Sequence, residues 1–448
     1  MASTRIYRTM GSPTNDKIFT ISGWFKLCKS SGHLLFASDA NNNTSWTQIT
    51  FNSDRLYISA YNTAWLTTNR VFRDRNAWYH IVLAFDSTQS TASNRIKLYI
   101  NGVQETSFAT DNRGSTSQNQ SWGWNKNGVV NNIGGENASG YGDFLLSHFH
   151  NIDGTAYDAS AFGSTDATTG EWKINTAPSV TYGNNGFFWL KDSVATTDNS
   201  PNSNTFTIGG TLTKTEDCPS NVFNTLDPLS PQTYTFSNGN NTIYRAGSTS
   251  QSTAISTLAP SSGKWYWEVK LNSGQTNYPR IGIYEMNSDN HTYTTHLGNA
   301  SNGTGKWWGS GGSGSGNNII ADGNASTTAF YSFTNGDILM FAMDNDNGKL
   351  WFGKNGTWYT NDNSSTTTGT AIGNNTATPA FSTVTAGKNW TPAVFGNAGG
   401  ETWQCNFGNG YFGTTQITSE GTNASGVGKF EYDVPPNFTA ISTEGLNL

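Results

Sequence analysis

Short segments in which apolar side chains recur at every second residue constrain the fold of this chain more than any other feature. In residues 95–100 isoleucine and leucine alternate with arginine, lysine and tyrosine, and the segment ends at Asn101-Gly102. A period of two places successive side chains on opposite faces of a β-strand. Asn-Gly accommodates the positive φ angles of a tight hairpin turn. The segment is therefore predicted to be a half-buried strand that opens a hairpin.

Strand patterns of this kind occur in both halves of the chain. Residues 264–271 alternate cleanly, and this predicts that Trp265, Trp267, Val269 and Leu271 face a core. Several such strands separated by turn signals are typical of antiparallel β-sandwiches. The further predicted strands are residues 19–27, a continuous apolar strand at 78–85 that pairs with 95–100, residues 280–284, and a hairpin of 337–343 with 349–352.

Composition supports an all-β fold and excludes several classes of protein. Aromatic residues make up 13% of the chain, which is too much apolar area for a disordered protein. Helix-forming residues are sparse beside strand and turn formers, and this excludes a helical bundle. Only 12% of residues are charged and the net charge is −6, so we expect no nucleic-acid partner, which would require a basic face.

Localisation and cofactor signals are weak throughout. No run approaches 18 apolar residues, so no membrane insertion is expected. The first eight residues contain no apolar core of a signal peptide, which predicts synthesis in a cytoplasm without export. Cys28, Cys218 and Cys405 are odd in number and far apart, and they provide neither a disulfide framework nor a metal spacing. We expect no cofactor.

The domain organisation predicted from these patterns is tandem. Residues 1–165 form a first sandwich, residues 166–231 a connector packed on it, and residues 232–448 a second sandwich with a C-terminal extension. The connector loses the strand periodicity except at residues 187–190, and it holds too many aromatic residues for a free linker. Residues 310–318 are a Gly/Ser-rich loop.

The first sandwich resembles a known family. Trp78-Tyr79-His80-Ile81-Val82 and Lys97-Leu98-Tyr99-Ile100-Asn101-Gly102 are similar to inner strands of the laminin-G-like, concanavalin-A-like fold. Residues 132–135 and 142–149 are similar to its closing strands. The resemblance implies a jelly-roll sandwich of two antiparallel sheets, with ligands chosen by loops.

The second sandwich resembles the SPRY family. The similarity rests on Gly263-Lys264-Trp265-Tyr266-Trp267-Glu268-Val269 and Arg280-Ile281-Gly282-Ile283, followed by residues 336–338, 351–352 and 392–395. It implies a second antiparallel sandwich that serves as a binding scaffold.

The tandem order resembles virion surface proteins of tailed bacteriophages of marine bacteria. Asp153-Gly154-Thr155-Ala156-Tyr157-Asp158 and Phe430-Glu431-Tyr432-Asp433-Val434-Pro435 are the phrases that carry this resemblance. It implies a non-enzymatic structural protein of the virion surface, such as a fibre, a knob or a capsid decoration. Its partners would be other virion proteins, copies of itself and host-surface polysaccharide.

The alternative is a soluble lectin-like carbohydrate-binding protein or a glycan-degrading enzyme. A cellular adhesion protein is disfavoured because no signal peptide or anchor is seen.

Catalytic and metal motifs are incomplete. A retaining glucanase on this scaffold carries Glu-x-Asp-x-x-Glu on one strand, but Glu431-Tyr432-Asp433 is followed by valine and two prolines. His148 and His150 share a predicted strand face without a third ligand. Asp344-x-Asp346-x-Gly348 has calcium-type oxygen ligands at the wrong spacing and is predicted to be a hairpin turn. No catalytic or metal-binding residue is therefore assigned.

Six aromatic residues are candidates for ligand or partner binding. Trp rings in Gly/Asn/Ser-rich stretches either stack on sugars and anchor protein interfaces, or close the ends of their own sandwich. Both interpretations stay open from the sequence. The candidates are Trp122, Trp124, Trp307, Trp308, Trp358 and Tyr359.

Overall fold

A computed structural model shows two compact units, Met1–Leu212 and Thr213–Leu448. The boundary falls inside the segment 166–231. The helices among the described residues are all too short or too polar to cross a membrane. The structure describes residues 4–39, 42–61, 63–136, 139–190, 197–229, 234–247, 252–274, 278–286, 305–310, 319–322, 328–396 and 399–447. Most of the Gly/Ser-rich loop 310–318 therefore lies outside the described residues.

The first unit is built from strands and short turns of 3₁₀ helix. Its strands are β1 (Arg5–Thr9), β2 (Ile18–Leu27), β3 (Gly32–Asp39), β4 (Asn42–Asn52), β5 (Arg55–Ala60), β6 (Thr63–Thr68), β7 (Trp78–Asp86), β8 (Ile96–Ile100), β9 (Val103–Gln104), β10 (Phe108–Asp111), β11 (Val130–Ile133), β12 (Phe144–Asp153), β13 (Gly163–Thr165), β14 (Trp172–Ile174), β15 (Phe187–Trp189) and β16 (Thr207–Gly209).

These strands form an antiparallel sandwich. One sheet has eight strands in the order β10-β6-β5-β4-β3-β11-β1-β16, and the other has six in the order β15-β12-β2-β7-β8-β9. The predicted strands at 19–27, 78–85 and 95–100 are confirmed as β2, β7 and β8, and β7 pairs with β8 as expected. Asn101 and Gly102 have φ angles of 47° and 81°, which makes the predicted tight turn.

A third layer covers the outer face of the six-stranded sheet. Val82 of β7 and Ile152 of β12 form a small apolar cluster there with Ala159 and Phe162 of the following segment. Asp153 is buried, and its carboxylate accepts backbone N–H groups of Thr14 at 2.7 Å, Asn15 at 3.1 Å and Asn185 at 3.0 Å. The layer explains the continuous apolar run of β7, because a strand buried on both faces needs no polar side.

The described residues of the second unit contain a short α-helix, α1 (Gly369–Gly373), a turn of 3₁₀ helix at Gly445–Asn447, and many strands. The strands are β17 (Tyr234–Ser237), β18 (Thr242–Arg245), β19 (Ser252–Ile255), β20 (Lys264–Ser273), β21 (Arg280–Glu285), β22 (Gly305–Gly309), β23 (Ile319–Asp322), β24 (Thr328–Ala329), β25 (Ile338–Asp344), β26 (Lys349–Lys354), β27 (Thr357–Tyr359), β28 (Thr366–Thr367), β29 (Trp390–Gly396), β30 (Thr402–Asn406), β31 (Tyr411–Phe412), β32 (Thr415–Gln416) and β33 (Thr439–Ala440).

This unit is also an antiparallel sandwich, although its described residues include a short parallel pair of strands and an isolated parallel bridge. Its larger sheet runs β17-β18-β30-β20-β25-β26-β27-β28, and β33 lies parallel to β20. The smaller sheet runs β19-β29-β21-β22-β23-β24. The predicted hairpin of residues 337–343 and 349–352 is confirmed as β25 and β26. The predicted fold class, two tandem antiparallel β-sandwiches, describes the structure.

The C-terminal segment builds a second core on the outer face of the larger sheet. Trp265 and Trp267 point into the main core, as predicted. Tyr266, between them, is buried on the opposite face against Phe430, with ring centroids 4.8 Å apart. Phe438 belongs to the same cluster. Strand β20 is therefore buried on both faces.

Candidate binding surface

Trp122 and Trp124 close one end of the first sandwich. The ring of Trp122 lies 5.2 Å from that of Phe19 and 5.4 Å from that of Phe85. Trp124 donates its Nε1–H to Asn151 at 2.8 Å. Gly123 passes so close to Thr47 that a Cβ atom there would lie 2.8 Å from the Thr47 hydroxyl. Both indoles therefore belong to the core.

The other four aromatic candidates are also buried. Trp307 and Trp308 are neighbours in β22 and lie on opposite faces of the smaller sheet. Trp308 donates to the Tyr331 carbonyl at 2.7 Å, and Tyr359 stacks on Tyr331 with centroids 3.7 Å apart. The exposed fractions of all six candidates run from 0% to 7%. Their rings pack against their own sandwiches, so they offer no open face for stacking. The six are Trp122, Trp124, Trp307, Trp308, Trp358 and Tyr359.

A group of aromatic rings in which Trp46 and Tyr61 are partly exposed and Phe36 is buried lies elsewhere, on the outer face of the eight-stranded sheet. We call His33, Phe36, Trp46 and Tyr61 the aromatic strip. The ring centroids are 5.3 Å apart for His33 and Phe36, 6.2 Å for Phe36 and Trp46, and 6.1 Å for Trp46 and Tyr61. Tyr61 is 42% exposed, and Trp46 is half-buried. The ring of Tyr61, at the end of the strip, is therefore accessible to solvent.

Polar side chains lie beside the aromatic strip. The strand register places Asn132, Phe36, Gln48 and Ser59 side by side on four adjacent strands. Gln48 donates its amide to the Ser59 hydroxyl at 3.0 Å, and Arg5 donates to Asn132 at 3.0 Å. Asn132 and Ser59 are completely buried, whereas Gln48 is half-buried. A partly exposed amide next to aromatic faces suits a ligand with both apolar faces and hydroxyl groups.

The histidine of the strip is neutral at ordinary pH. Burial lowers the pKa of His33, and Glu136, whose carboxylate is 3.8 Å away, raises it less. The strip therefore presents a polar but weakly charged surface. Sequence inspection missed it because Trp46 follows a stretch of Asn, Thr and Ser, and only the curvature and pairing of the sheet place it next to Phe36 and Tyr61.

A serine–histidine pair in the first unit does not have the geometry of a nucleophile and its base. Ser22 Oγ lies 2.8 Å from His80 Nε2, and Trp172 Nε1 lies 2.9 Å from His80 Nδ1. The indole N–H can only donate, so Nδ1 accepts and the proton of His80 is on Nε2. Burial also lowers the pKa of His80 to about 3. The imidazole has no free lone pair with which to take a proton from Ser22.

The buried carboxylate of Glu268 is enclosed by donors from the C-terminal segment. It accepts the backbone N–H groups of Glu431 at 3.0 Å and Tyr432 at 2.8 Å, and the Tyr266 hydroxyl at 2.9 Å. Asn406 donates at 3.2 Å. Burial raises the pKa of Glu268 to about 7. A pKa near 7 suits acid–base chemistry, but the side chain of Glu268 is completely buried. Its hydrogen bonds instead hold the C-terminal segment against the larger sheet.

The phrase Glu431-Tyr432-Asp433 does not form part of a strand. The Asp433 carboxylate accepts the backbone N–H of Thr422 at 2.6 Å and its hydroxyl at 2.8 Å. These contacts hold a loop, and they do not present two carboxylates on one strand face.

The residues weighed as metal ligands have other contacts. Both His148 and His150 contact the ring of Phe188, and His150 lies 3.0 Å from the Tyr182 hydroxyl. Asp344 and Asp346 bind hairpin and neighbouring backbone N–H groups. Within the described ranges, no three His, Cys, Asp or Glu side chains are grouped so that they could hold a metal ion.

Comparison with known families adds to this geometry. Residues 5–144 match the family model described as the concanavalin A-like lectin/glucanases superfamily. The match to this concanavalin A-like family covers less than half of the chain, and it includes the aromatic strip. No curated protein matches the chain.

Two solved SPRY domains are similar in structure to part of the chain. The SPRY domain of human HERC1 is 16% identical and covers 43% of this chain and 99% of its own, with a TM-score of 0.30. The PSpry domain of TRIM65 is 13% identical and covers 41% of this chain and 91% of its own, with a TM-score of 0.27.

Proposed function

We propose that this chain is a non-enzymatic binding protein of a bacteriophage virion, such as a fibre, a knob or a capsid decoration. In this proposal it contacts other virion proteins and copies of itself, and it attaches to polysaccharide on the host surface. The observation that carries the attachment is the aromatic strip, with the half-buried amide of Gln48 beside it, on the concanavalin A-like unit. Residues 153–158 and 430–435, on which the resemblance to phage proteins rests, each fasten a covering segment to a sandwich.

Three arrangements support a binding role over catalysis. The lone pair of His80 beside Ser22 is occupied by Trp172. Glu268 is shut inside the second unit. Asp433 is tied to Thr422. Each of these groups has the chemistry of a catalytic residue but is engaged in a structural contact.

Attachment is tested with host-surface polysaccharide immobilised on a sensor. Trp46→Ala or Tyr61→Ala should weaken binding of the full chain by about tenfold, because each removes a ring on which a sugar can stack. The matched control is Tyr244→Ala, since Tyr244 is 46% exposed in the second unit and lies outside the strip. Equal binding by all three variants and the unchanged protein would remove the strip from the proposal.

The virion assignment is tested on purified particles. Antibodies against the chain should label intact particles at their surface, and mass spectrometry should detect the chain after gradient purification. A chain found only in the particle-free supernatant would support the lectin-like alternative instead.

Catalysis is tested with mixed algal and bacterial polysaccharides. The proposal expects no release of reducing ends above background. Release that disappears in Glu431→Gln or Asp433→Asn would establish a glycan-degrading enzyme and end the non-enzymatic proposal.

A further inference from the structure

Two buried histidines join a covering layer to the outer face of the six-stranded sheet. We call residues 155–182, between β12 and β15, the covering layer, and its strands β13 and β14 pair with each other as a separate two-stranded sheet. His80 Nδ1 accepts the indole N–H of Trp172 at 2.9 Å, and His150 Nδ1 lies 3.0 Å from the Tyr182 hydroxyl. Trp172 and Tyr182 belong to the layer, so each histidine links it to the sheet.

The two imidazoles lie on either side of one serine. Ser22 of β2 is paired with His150 of β12 in the strand register, and its hydroxyl accepts the Nε2–H of His80 of β7 at 2.8 Å. The exposed fractions of His80 and His150 are 1% and 2%. A proton taken up by either ring would therefore place a charge where bulk water does not hydrate it.

The contacts of the two rings oppose protonation. A proton on Nδ1 of His80 would face the N–H of Trp172, which has no lone pair to accept it. Burial lowers the pKa of His80 to about 3. Burial also lowers the pKa of His150, and the neighbouring His148 and His80 lower it further. The ring of Trp24, whose centroid lies 4.9 Å from that of His80, favours a cation but by less than the lost hydration costs.

The acidic side chains of the layer have other partners or face water. Asp158 accepts the backbone N–H of Ser160, Asp166 is paired with Lys173 at 2.7 Å, and Glu171 is exposed. Among the described residues, no carboxylate shifts the pKa of either histidine. The other titratable or charged side chains on the elements around them are Lys26 of β2, Tyr79 and Asp86 of β7, Lys97 and Tyr99 of β8, His148 and Asp153 of β12, and Tyr157 and Tyr182 of the layer.

We propose that the covering layer is an acid-sensitive cover, which detaches from the six-stranded sheet when His80 and His150 are protonated. Detachment uncovers Val82 and Ile152, which form an apolar cluster with side chains of the layer. The chain stays anchored beyond the layer, because the backbone N–H of Asn185 is bound by Asp153. The aromatic strip lies on the other sheet, so this inference does not rest on the proposed attachment to polysaccharide.

The direction of the pH effect follows from the two states of the layer. In the detached state the imidazoles are in water and titrate near their ordinary pKa of about 6.5. In the attached state they stay neutral to a lower pH. Attachment is therefore strongest above about pH 6.5 and weakens as pH falls below it. Each histidine that must stay neutral increases detachment by up to about tenfold per pH unit in that range.

The test is hydrogen exchange of the full chain read by mass spectrometry, with each rate divided by the intrinsic rate at the same pH. Two amides report attachment: that of Tyr157 donates to the Thr20 hydroxyl at 2.7 Å, and that of Asp153 donates to the Tyr182 carbonyl at 2.8 Å. Protection of these amides should fall at least about tenfold between pH 7.5 and pH 4.5. Protection in β3, β4 and β5 of the other sheet should stay constant.

Variants identify the groups that titrate. Asparagine does not titrate and still offers an acceptor to Trp172, so His80→Asn should make the fall in protection smaller, and His150→Asn should do the same. The matched control is His33→Asn, which removes a histidine of the other sheet and should leave the fall at Tyr157 and Asp153 unchanged.

Three results would overturn the proposal. Protection of the two amides could stay constant with pH, or β3, β4 and β5 could lose protection in parallel, which would mean that acid unfolds the whole unit. Both of these are read in the unchanged protein, without a variant. The third is a fall as large in His80→Asn and in His150→Asn as in the unchanged protein, and either variant decides this point if the other fails to fold.

Discussion

The ring of Trp267 lies parallel to that of Phe341 in the centre of the second sandwich, with centroids 5.1 Å apart and an interplanar angle of 6°. Its position follows from the period of β20, in which Trp265 and Trp267 were predicted to face one core. Trp267→Ala should lower the free energy of unfolding by about 3–5 kcal/mol, since a fully buried indole leaves a large cavity. Denaturant unfolding measures this loss, and Tyr244→Ala should change stability by less than about 0.5 kcal/mol. A loss below about 1 kcal/mol for Trp267→Ala would contradict the packing.

Glu268 makes the stability of the second unit depend on pH. Its pKa is raised from 4.5 to about 7 in the folded chain. Below pH 4.5 the carboxyl is protonated in both states, so its contribution to stability is fully present. As pH rises from 4.5 to 7 the unfolded state ionises first, and stability falls by about 3 kcal/mol in total.

The variant Glu268→Gln isolates this effect because glutamine does not titrate. The unfolding free energy of the unchanged protein, relative to that of the variant, should fall as pH is raised from 4.5 to 8. Buried histidines such as His80 also make stability depend on pH, but they do so equally in the unchanged protein and in the variant. Their contribution therefore cancels in the difference between the two unfolding free energies. A difference that is constant with pH would mean that the carboxyl titrates near its ordinary value in the folded chain.

At the scale of elements, the sequence predicts the strands with a clear period of two or a continuous apolar run better than it predicts what covers them. The alternation of β20 placed Trp265 and Trp267 correctly but said nothing of Tyr266, which is buried by a segment more than 160 residues away. The indoles of Trp122 and Trp308 lie in Gly-rich stretches, where local pattern is the same for an exposed ring and for one that closes a sandwich. Contacts between distant segments decide these cases, and local periodicity does not encode them.

The layer that covers the six-stranded sheet depends on Asp153 in the same way. Asp153→Asn replaces one accepting oxygen by an amide that faces backbone N–H donors. At least one of the three N–H groups of Thr14, Asn15 and Asn185 should lose its partner, and the cost should be about 1–3 kcal/mol. Hydrogen exchange at these three amides should become faster.

The control for this prediction is Asp158, which lies in the same segment as Asp153. Asp158 is exposed, and its carboxylate accepts the backbone N–H of Ser160 at 2.9 Å and the Ser160 hydroxyl as its hydrogen bonds within the described part of the chain. Asp158→Asn keeps the accepting oxygen and should leave exchange at Thr14, Asn15 and Asn185 unchanged. If both variants behave alike, the carboxylate of Asp153 does not fasten the layer.

At the scale of the molecule, the packing predicts where the chain can be divided. Trp189 of β15 pairs with Phe149 of β12, and β16 pairs with β1, so residues beyond 165 complete both sheets of the first unit. In the second unit Phe223 and Leu226 are buried in its two cores. Cuts at 165 or 231 therefore remove core residues, whereas a cut between Leu212 and Thr213 follows the boundary of the compact units.

We therefore expect fragments 1–212 and 213–448 to unfold cooperatively and to remain monodisperse in size-exclusion chromatography, each at the protein concentration used for the full chain. Fragments 1–165 and 232–448 should bind a hydrophobic dye and aggregate, because they expose unpaired strand edges and apolar surface. The comparison within each pair is matched, since the shorter fragment differs only by the residues in question. If fragment 1–165 unfolded cooperatively at the same midpoint temperature as fragment 1–212, then Phe187, Trp189 and their strand would add little to the stability of the first core. The apolar face of β12 would then have to be stable in water without the ring contacts of Phe149 with Phe187, whose centroids are 5.8 Å apart.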